Sequence, residues 1–442
     1  MRDADREKKL ALQRWEHDVR RREKKKAREV ASQQSDSTHH GYKSALLNYF
    51  GQDFEAYKKR RKSGPLSIRL PSKFSLTTNP EETLLSILRV VKYARTARRP
   101  RLIIDHRNIV ELGLGAEAVL AVVLKEISME NQSFRGSYIR GYKPRNPKLS
   151  KIMDEIGCVR VLRTGADEDI KISLRSTAKV FRHQNRGHHK EVDALVADPI
   201  SITTREFSDH LDSCLSLVAK KLSQKGRERI LAYVAEVLIN AQEHSGSAEW
   251  TIVGFVDQED EGLIYRAAIF SIGRTISETF KLLDKDSYSW GIVEPYLNKH
   301  KLSGFFRKSW CEDDLLAIIA LQGNISSKLE GPESDRGQGT VDLIEFFQEV
   351  SGECTSSSVR PKMSIMSGAT HIIFGGEYKM NYESDIGRMV IAFNKENNLY
   401  FPPDSNVVKS LDGIAFPGAL ISIAIPLAEG TVEQISEAED EY

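Results

Sequence analysis

The stretch from residue 231 to 246, LAYVAEVLINAQEHSG, constrains the fold of this chain more than any other. Glu236, Asn240 and His244 are spaced four residues apart, so a helix would align them on one face over two turns. The residues around them are mainly apolar, and asparagine is unfavourable in the middle of a helix. The pattern predicts a packed helix that presents three polar side chains to a site, and a solvated stripe is the alternative interpretation.

The polar groups of this helix suit a divalent cation with bound phosphate. The amide oxygen of Asn240 is a suitable ligand for Mg2+, and the carboxylate of Glu236 can orient or deprotonate a water molecule. Two segments downstream, SIGRTI at 271–276 and DRGQGT at 335–340, are candidate phosphate-binding loops. Neither segment alone is specific evidence for a phosphate site. The order of the polar-faced helix, the first loop and the second loop along the chain is stronger evidence.

This order of motifs resembles the GHKL ATP-binding fold, which is shared by gyrase-type topoisomerases, 90-kilodalton chaperones, sensor histidine kinases and anti-sigma-factor serine kinases. The resemblance covers residues 203–428. EVLINAQEH at 236–244 matches the N box, Gly273 matches the first glycine of the G1 box, and RGQGT at 336–340 matches the G2 box. The resemblance implies a GHKL-type α/β sandwich that binds ATP and Mg2+.

The resemblance also implies roles for individual residues. Glu236 would be the catalytic or water-orienting residue, and Asn240 would be the Mg2+ ligand. The residues implied in cofactor binding are Asn240, His244, Ser271, Gly273, Thr275, Arg336, Gly337, Gly339 and Thr340.

Three positions depart from the family pattern. The aspartate that recognises the adenine amino group corresponds to Ser271, the second G1 glycine corresponds to Thr275, and the threonine after the glycine of the closing strand corresponds to Ala419. Two members of one adenine-reading network are therefore absent together. A serine hydroxyl still accepts a hydrogen bond, so we expect altered base selectivity, and a module that binds no nucleotide is the alternative.

Residues 66–165 alternate strand and helix patterns, which predicts a small α/β domain. The strand LIID at 102–105 and the helix pattern after it resemble the STAS fold of anti-sigma-factor antagonists. Members of that family often carry a phosphorylatable serine at the start of this helix. The corresponding stretch here is ELGLGA at 111–116, which has no hydroxyl.

The predicted organisation has five parts. Residues 1–65 form a basic arm and linker, helical or disordered, with twelve basic and seven acidic residues up to position 30. The STAS-like domain at 66–165 is followed by a linker at 166–202, in which 176–191 is expected to be an interdomain loop. The ATP-binding domain at 203–428 carries an enlarged lid at 277–335, and residues 429–442 form an acidic tail.

No signal peptide and no long apolar run is present, so we expect a cytoplasmic protein without a membrane contact. The four cysteines are far apart, which argues against a zinc site. The resemblances favour a regulatory protein, bacterial by analogy, in which the ATP and Mg2+ state controls contacts with a protein partner. The alternatives are an active ATPase or serine/threonine kinase, a degenerate interaction module, or a nucleic-acid-associated protein of the phage-defence kind that binds through the basic arm.

Overall fold

The structure is a computed structural model of the 442-residue chain. It describes residues 43–50, 65–97, 100–131, 138–156, 181–186, 198–245, 249–259, 262–307, 309–323, 325, 338–353, 360–385, 387–427 and 432–434. The fold class is α/β, as predicted, and both parallel and antiparallel strand pairs are present.

The amino-terminal unit, residues 43–156, alternates strands and helices. Its elements are α1 (Ala45–Tyr49), β1 (Leu66–Arg69), β2 (Lys73–Phe74), α2 (Pro80–Thr96), β3 (Arg101–Asp105), β4 (Glu111–Leu112), α3 (Leu114–Glu130), β5 (Tyr138–Tyr142) and α4 (Pro147–Ile156). Among the described residues, three strands form a parallel sheet in the order β1-β3-β5, which we call the small sheet. Helices connect its strands, as parallel pairing requires.

The remaining described chain is built on a second, larger sheet. Its elements are β6 (Phe181–Arg186), α5 (Pro199–Leu215), β7 (Lys220–Leu222), α6 (Gln224–His244), β8 (Glu249–Glu259), β9 (Gly262–Ile272), α7 (Ile276–Lys281), α8 (Tyr288–Leu302), α9 (Glu312–Ile319), α10 (Gln338–Glu353), β10 (Lys362–Gly368), β11 (Thr370–Phe374), β12 (Asn381–Glu383), β13 (Arg388–Val390), β14 (Val408–Ser410), β15 (Phe416–Pro426) and β16 (Val432–Gln434). Seven described strands form the large sheet in the order β14-β11-β10-β15-β9-β8-β6. All of these pairs are antiparallel.

Helix α6 contains the polar-faced stretch and starts earlier than that stretch. The side-chain oxygen of Ser223 accepts a hydrogen bond from the backbone N–H of Gly226, which caps the first turn. Tyr233, Val234 and Leu238 are buried in the core on one face of the large sheet. The helix therefore has the apolar face that the sequence predicts.

The opposite face of the large sheet packs against the amino-terminal unit. Helix α3 contacts β8, β9 and β15, and it is buried over almost its whole length. Val253, Phe270 and Leu420 of the large sheet belong to the same core cluster as the helices of the amino-terminal unit. The large sheet is thus a layer with an apolar core on each side.

Polar contacts also join the amino-terminal unit to the large sheet. The hydroxyls of Thr77 and Ser364 are 3.0 Å apart. The Lys148 ammonium is 3.2 Å from a carboxylate oxygen of Asp257 on β8. These contacts link the segment before α2 and helix α4 to strands of the large sheet.

The prediction of a loop at 176–191 is wrong for residues 181–186, which form the edge strand β6. Phe181 packs on Phe207, with ring centroids 5.1 Å apart, and His183 stacks on Trp250 at 5.5 Å. Strand β6 also pairs along its length with β8. The sequence FRHQNR is mostly polar because this strand lies at the sheet edge, so its apolar signal is weak.

Other predicted boundaries also need correction. A helix at 207–222 is expected from the sequence, whereas α5 ends at Leu215, where a 3-10 turn leads to Ala219 at a φ of 55°. The side chain of Asp198 caps α5 by accepting a hydrogen bond from the Ser201 N–H, which sets its earlier start. An insertion is expected at 404–414, but β14 lies within it. The closing strand expected at 159–162 lies outside the described residues.

In residues 277–335, where an enlarged lid with a single helix at 313–321 is expected, the structure has α8, α9 and most of α7, which begins at Ile276. His300 supports α8 from the interior. Trp310 donates from its Nε1 to His300 Nδ1 at 3.1 Å, so Nε2 carries the proton and donates to the Leu399 carbonyl at 3.0 Å. Burial lowers the pKa of His300, which keeps the ring neutral and both of its nitrogens satisfied.

No helix in the described part of the chain is both long and apolar enough to cross a bilayer.

The contact between α3 and the large sheet generates a prediction about stability. A Cβ atom on Gly115 would lie 3.2 Å from side-chain atoms of Ala268, Leu420 and Ser422. We expect Gly115→Leu to lower the free energy of unfolding by about 1–3 kcal/mol, because it overpacks this contact. Gly291→Leu in α8 is the matched control, since a Cβ there meets no atom within 4 Å. Equal stability of the two variants in chemical denaturation would contradict the packing described here.

Candidate functional site

A cavity of about 130 Å³ lies between the large sheet and the helices on its α6 side. Side chains from five segments line it. They are Val237, Asn240 and Ala241 of α6; Ile269, Ser271, Ile365, Ala419 and Ile421 of the sheet; Ile276, Thr279 and Phe280 of α7; Ala320, Leu321 and Ile325 after α9; and Thr340 and Leu343 of α10. Most of these side chains are apolar, and the polar ones come from α6, the sheet, α7 and α10.

The floor of the cavity is the point where three neighbouring strands meet. Ser271 on β9 lies directly opposite Ala419 on β15, and Ala419 lies opposite Ser367 on β10. Ser271 and Ser367 are both buried. Two positions that are 148 residues apart in sequence, Ser271 and Ala419, are therefore immediate neighbours in the sheet.

The end of β9 touches the end of α6, and glycine makes this approach possible. A Cβ atom on Gly273 would lie 2.1 Å from the carbonyl oxygen of Ser245, the residue that follows α6. The backbone N–H of Arg274 donates to that same oxygen at 2.8 Å. On β15, Gly418 has a φ of 121°, and its Cβ would lie 2.0 Å from the Ser271 carbonyl oxygen. These contacts hold Ser271 beside the last turns of α6.

Helix α7 starts at the rim of the cavity and is fixed to the sheet. Thr275 caps it in a reciprocal pair with Glu278, since each side chain accepts a hydrogen bond from the other's backbone N–H. The hydroxyl of Ser367 accepts from the Ile276 N–H at 2.8 Å and donates to the Gly418 carbonyl at 2.7 Å. Thr275 therefore has a structural role as a cap in addition to lining the cavity.

Four of the residues predicted from the sequence line this one cavity: Asn240, Ser271, Thr275 and Thr340. Gly273 lies directly behind it, at the junction of β9 and α6. Asn240 is half-buried and one turn further along α6 than Glu236.

The other predicted residues are not brought into the cavity by the described structure. Glu236 is half-buried on α6 and is not one of the described residues that line the cavity. His244 is the last residue of α6, and its side chain is outside the description. Gly339 is in the first turn of α10, and Arg336 and Gly337 lie outside the described residues.

Sequence reasoning missed Ser367 and the apolar residues of the lid. Ser367 lies in an apolar strand and carries no motif, so only its contacts with Ile276 and Gly418 reveal its importance. Phe280 and Leu321 contribute to the cavity walls, whereas the sequence indicates only a generic lid. For Phe280, the available signal is its i, i+4 spacing from Ile276 on α7.

The lining of the cavity carries little charge. Among the described lining residues, Arg274 is the charged one, and it is exposed at the rim. The described residues contain no cluster of three or more His, Cys, Asp or Glu side chains that could hold a metal ion. A cation would therefore need oxygen ligands from a bound anion in addition to the amide of Asn240, which is how Mg2+ commonly binds with phosphates.

Comparisons with protein-family models, with curated proteins and with solved structures find no match for this chain.

Because β9 approaches α6 closely, adding a single methyl group at Gly273 should strongly lower the stability of the protein. Gly273→Ala would place a carbon against a backbone oxygen, which cannot move without displacing Ser245. We expect it to lower the free energy of unfolding by about 1–3 kcal/mol or more. Gly375→Ala, at an exposed position where a Cβ meets nothing within 4 Å, should change stability by less than about 0.5 kcal/mol. Thermal and urea unfolding measure both, and a Gly273→Ala protein as stable as the wild type would refute this junction.

Proposed function

We propose that the cavity beside α6 binds ATP with Mg2+ and that the nucleotide state controls contacts with a protein partner. The observation that carries this proposal is the convergence of separate segments. Asn240, Ser271, Thr275 and Thr340 come from a helix, a strand, a helix cap and a second helix, and they line one cavity. The GHKL resemblance assigns all four to a nucleotide site.

The sheet side of the cavity suits the base of a nucleotide, and the side near the start of α10 suits its phosphates. Ile269, Ile365 and Ile421 offer apolar surface for a planar base, and the Ser271 hydroxyl beside them is a hydrogen-bonding group at the floor. At the rim, Thr340 lies in the first turn of α10, and backbone N–H groups at a helix start attract phosphate. The exposed guanidinium of Arg274 adds positive charge at the same rim.

Asn240 is the residue that would bind Mg2+. When bound, the ion would neutralise phosphate charge. One amide oxygen leaves most of the coordination sphere to phosphate oxygens and water, which is typical of Mg2+. We therefore expect the metal to bind with the nucleotide and not before it.

The strands that line the cavity also pack against the amino-terminal unit, so a change at the cavity can affect that unit. Ser271 and Ala419 line the cavity, and Ser367 lies beside Ala419 on the same side of the sheet, whereas the strand neighbours Met366 and Leu420 are in the core shared with α3. A ligand that changes the spacing of β9, β10 and β15 would act on both faces. Regulation of this kind requires that the ligand bind two conformations with different affinities.

Binding is favoured here over hydrolysis. An ATPase or a serine/threonine kinase would need Glu236 close to the bound phosphates, and Glu236 is not among the described residues at the cavity. A module without nucleotide is the other alternative, because Ser271 and Ala419 replace the residues that read adenine in the family.

Titration with a fluorescent ATP analogue tests the proposal. We expect saturable binding that Mg2+ strengthens, and we expect Asn240→Ala to lose this Mg2+ effect while it keeps weaker metal-free binding. The reason is that Asn240 contributes a metal ligand and little of the cavity surface. If Asn240→Ala binds Mg-ATP as tightly as the wild type, the assignment of the metal ligand is wrong.

A matched pair of variants on α6 provides the control. Ala241→Leu puts three more carbons into the cavity, whereas Ala232→Leu makes the same change at an exposed position. Only the first should abolish binding at an unchanged unfolding temperature. Wild type that binds no nucleotide, or equal affinity of the two leucine variants, would exclude a nucleotide in this cavity.

Base discrimination should be weak, because the charged acceptor of the family is the neutral Ser271. Hydrogen bonds to charged groups contribute about 1.5–3 kcal/mol and neutral ones about 1 kcal/mol, a difference of roughly tenfold in affinity. We expect ATP and GTP to compete within about one order of magnitude. Ser271→Asp should favour ATP, and Ala419→Thr should add to that preference. A wild-type preference for ATP of several orders of magnitude would mean that another residue reads adenine.

A further inference from the structure

In the described part of the chain, one face of the small sheet is partly open to solvent, and Arg69, Arg140 and Tyr142 on it are exposed. Ile68, Leu102 and Ile104 point to its helix-covered side and are buried. The alternate residues on the other side are mainly polar: Ser67, Arg69, Arg101, Ile103, Asp105, Tyr138, Arg140 and Tyr142. Purely parallel sheets are almost always covered on both faces, so this exposed polar face calls for an explanation.

Two tyrosines on the edge strand β5 are each paired with an arginine. Tyr138, Arg140 and Tyr142 alternate along the strand, so they share one face. The guanidinium carbon of Arg140 lies 4.9 Å from the Tyr138 ring centroid, and that of Arg107 lies 4.4 Å from the Tyr142 ring centroid. Tyr142 is 48% exposed. The strand therefore presents aromatic rings and planar cations to solvent.

The charge of this face is positive. Asp105 is held by Arg107, whose Nε and Nη2 donate to its two carboxylate oxygens at 2.9 and 2.8 Å, and Arg69 lies 3.9 Å away. Arg107 lowers the pKa of Asp105 to about 2, so this ion pair persists at neutral pH. On this face, Arg69, Arg101 and Arg140 of the described strands and Arg107 of the turn after β3 stand against one carboxylate, that of Asp105.

We propose that the arginine–tyrosine face, defined by Arg69, Arg107, Tyr138, Arg140 and Tyr142, binds single-stranded nucleic acid. Phosphates would contact the exposed guanidinium groups, and unpaired bases would stack on the tyrosine rings and arginine planes. An acidic peptide would match the charge but would make no use of the stacked rings. Duplex DNA is a poor fit because its base faces are covered, and its major groove admits a helix or a two-stranded ribbon, not a sheet face.

This inference goes beyond the nucleotide site. The arginine–tyrosine face belongs to the small sheet, whereas the cavity belongs to the large sheet, and α3 lies in the core between the two sheets. Asn240→Ala should therefore leave nucleic-acid binding unchanged. The two proposals fail or succeed separately.

Fluorescence anisotropy with the full-length protein tests the inference. The probes are labelled oligo-dT and oligo-U of about 20 nucleotides, longer than the sites of common single-strand-binding folds, and a duplex of the same length. We expect the single strands to bind with an affinity that falls as salt rises. Tyr138→Ala and Tyr142→Ala should each weaken binding roughly 5- to 150-fold, the equivalent of about 1–3 kcal/mol per stacked base. Tyr142→Trp should retain binding.

Matched variants elsewhere on the surface provide the controls. Tyr382, on β12, is 66% exposed, so Tyr382→Ala makes the same change far from this strand in sequence. Arg205→Ala, at an exposed position on α5, matches Arg140→Ala. Only Arg140→Ala should weaken binding, and it should reduce the slope of log K against log salt by about 0.7.

Several results would overturn the inference. One is a duplex bound as tightly as the single strands, and another is wild type that binds neither oligonucleotide at low salt. A third is binding that the tyrosine variants leave unchanged. In that case binding would be lost when Lys58, Lys59, Arg60, Arg61 and Lys62 are changed to glutamine in the full chain. Tyr142→Leu retains an apolar side chain without a ring, so it separates loss of stacking from loss of folding if the alanine variant is unstable.

Discussion

The packing of the large sheet between two apolar cores is the constraint on which the rest of this structure depends. Strands β9, β10 and β15 place one set of side chains in the core around α6 and the alternate set in the core around α3. Each strand is therefore held from both sides, and its register cannot slip by one residue without exchanging the two sets. This is why Ser271 and Ala419, far apart in sequence, meet reliably at the floor of a cavity.

Glycine determines where the cavity can form. At the end of β9, Gly273 lets the chain pass against Ser245, and Gly418 lets β15 approach Ser271 from the other side. A side chain at Gly273 would push the end of α6 away from β9, and a side chain at Gly418 would push β15 away from β9. The cavity is thus set by backbone contacts, while its polar groups are side chains on those same elements. The shape of the floor therefore depends on these backbone contacts, whereas its chemistry depends on side chains such as Ser271.

Local sequence patterns predicted what is local in the structure. The spacing of Asn240 on an apolar helix and the strand before Gly273 are short-range signals, and the α/β class follows from their order along the chain. The strand β6 was missed because it depends on Phe207 and Trp250, which are distant in sequence. Ser367 was missed because its importance arises from hydrogen bonds to Ile276 and Gly418. The apolar residues all around α3 signalled a helix buried on several sides, but they could not show what would cover it.

Helix α3 and strand β15 are far apart in the sequence, and this separation has a consequence for synthesis on the ribosome. Helix α3 is complete at Glu130, yet Leu420, which covers part of it, emerges about 290 residues later. At about 5–20 residues per second, the part of α3 that β15 covers stays exposed for roughly 15–60 seconds, while β8 and β9 emerge earlier. During that interval the amino-terminal unit exposes apolar surface, so premature association competes with folding until the last long strand has been made.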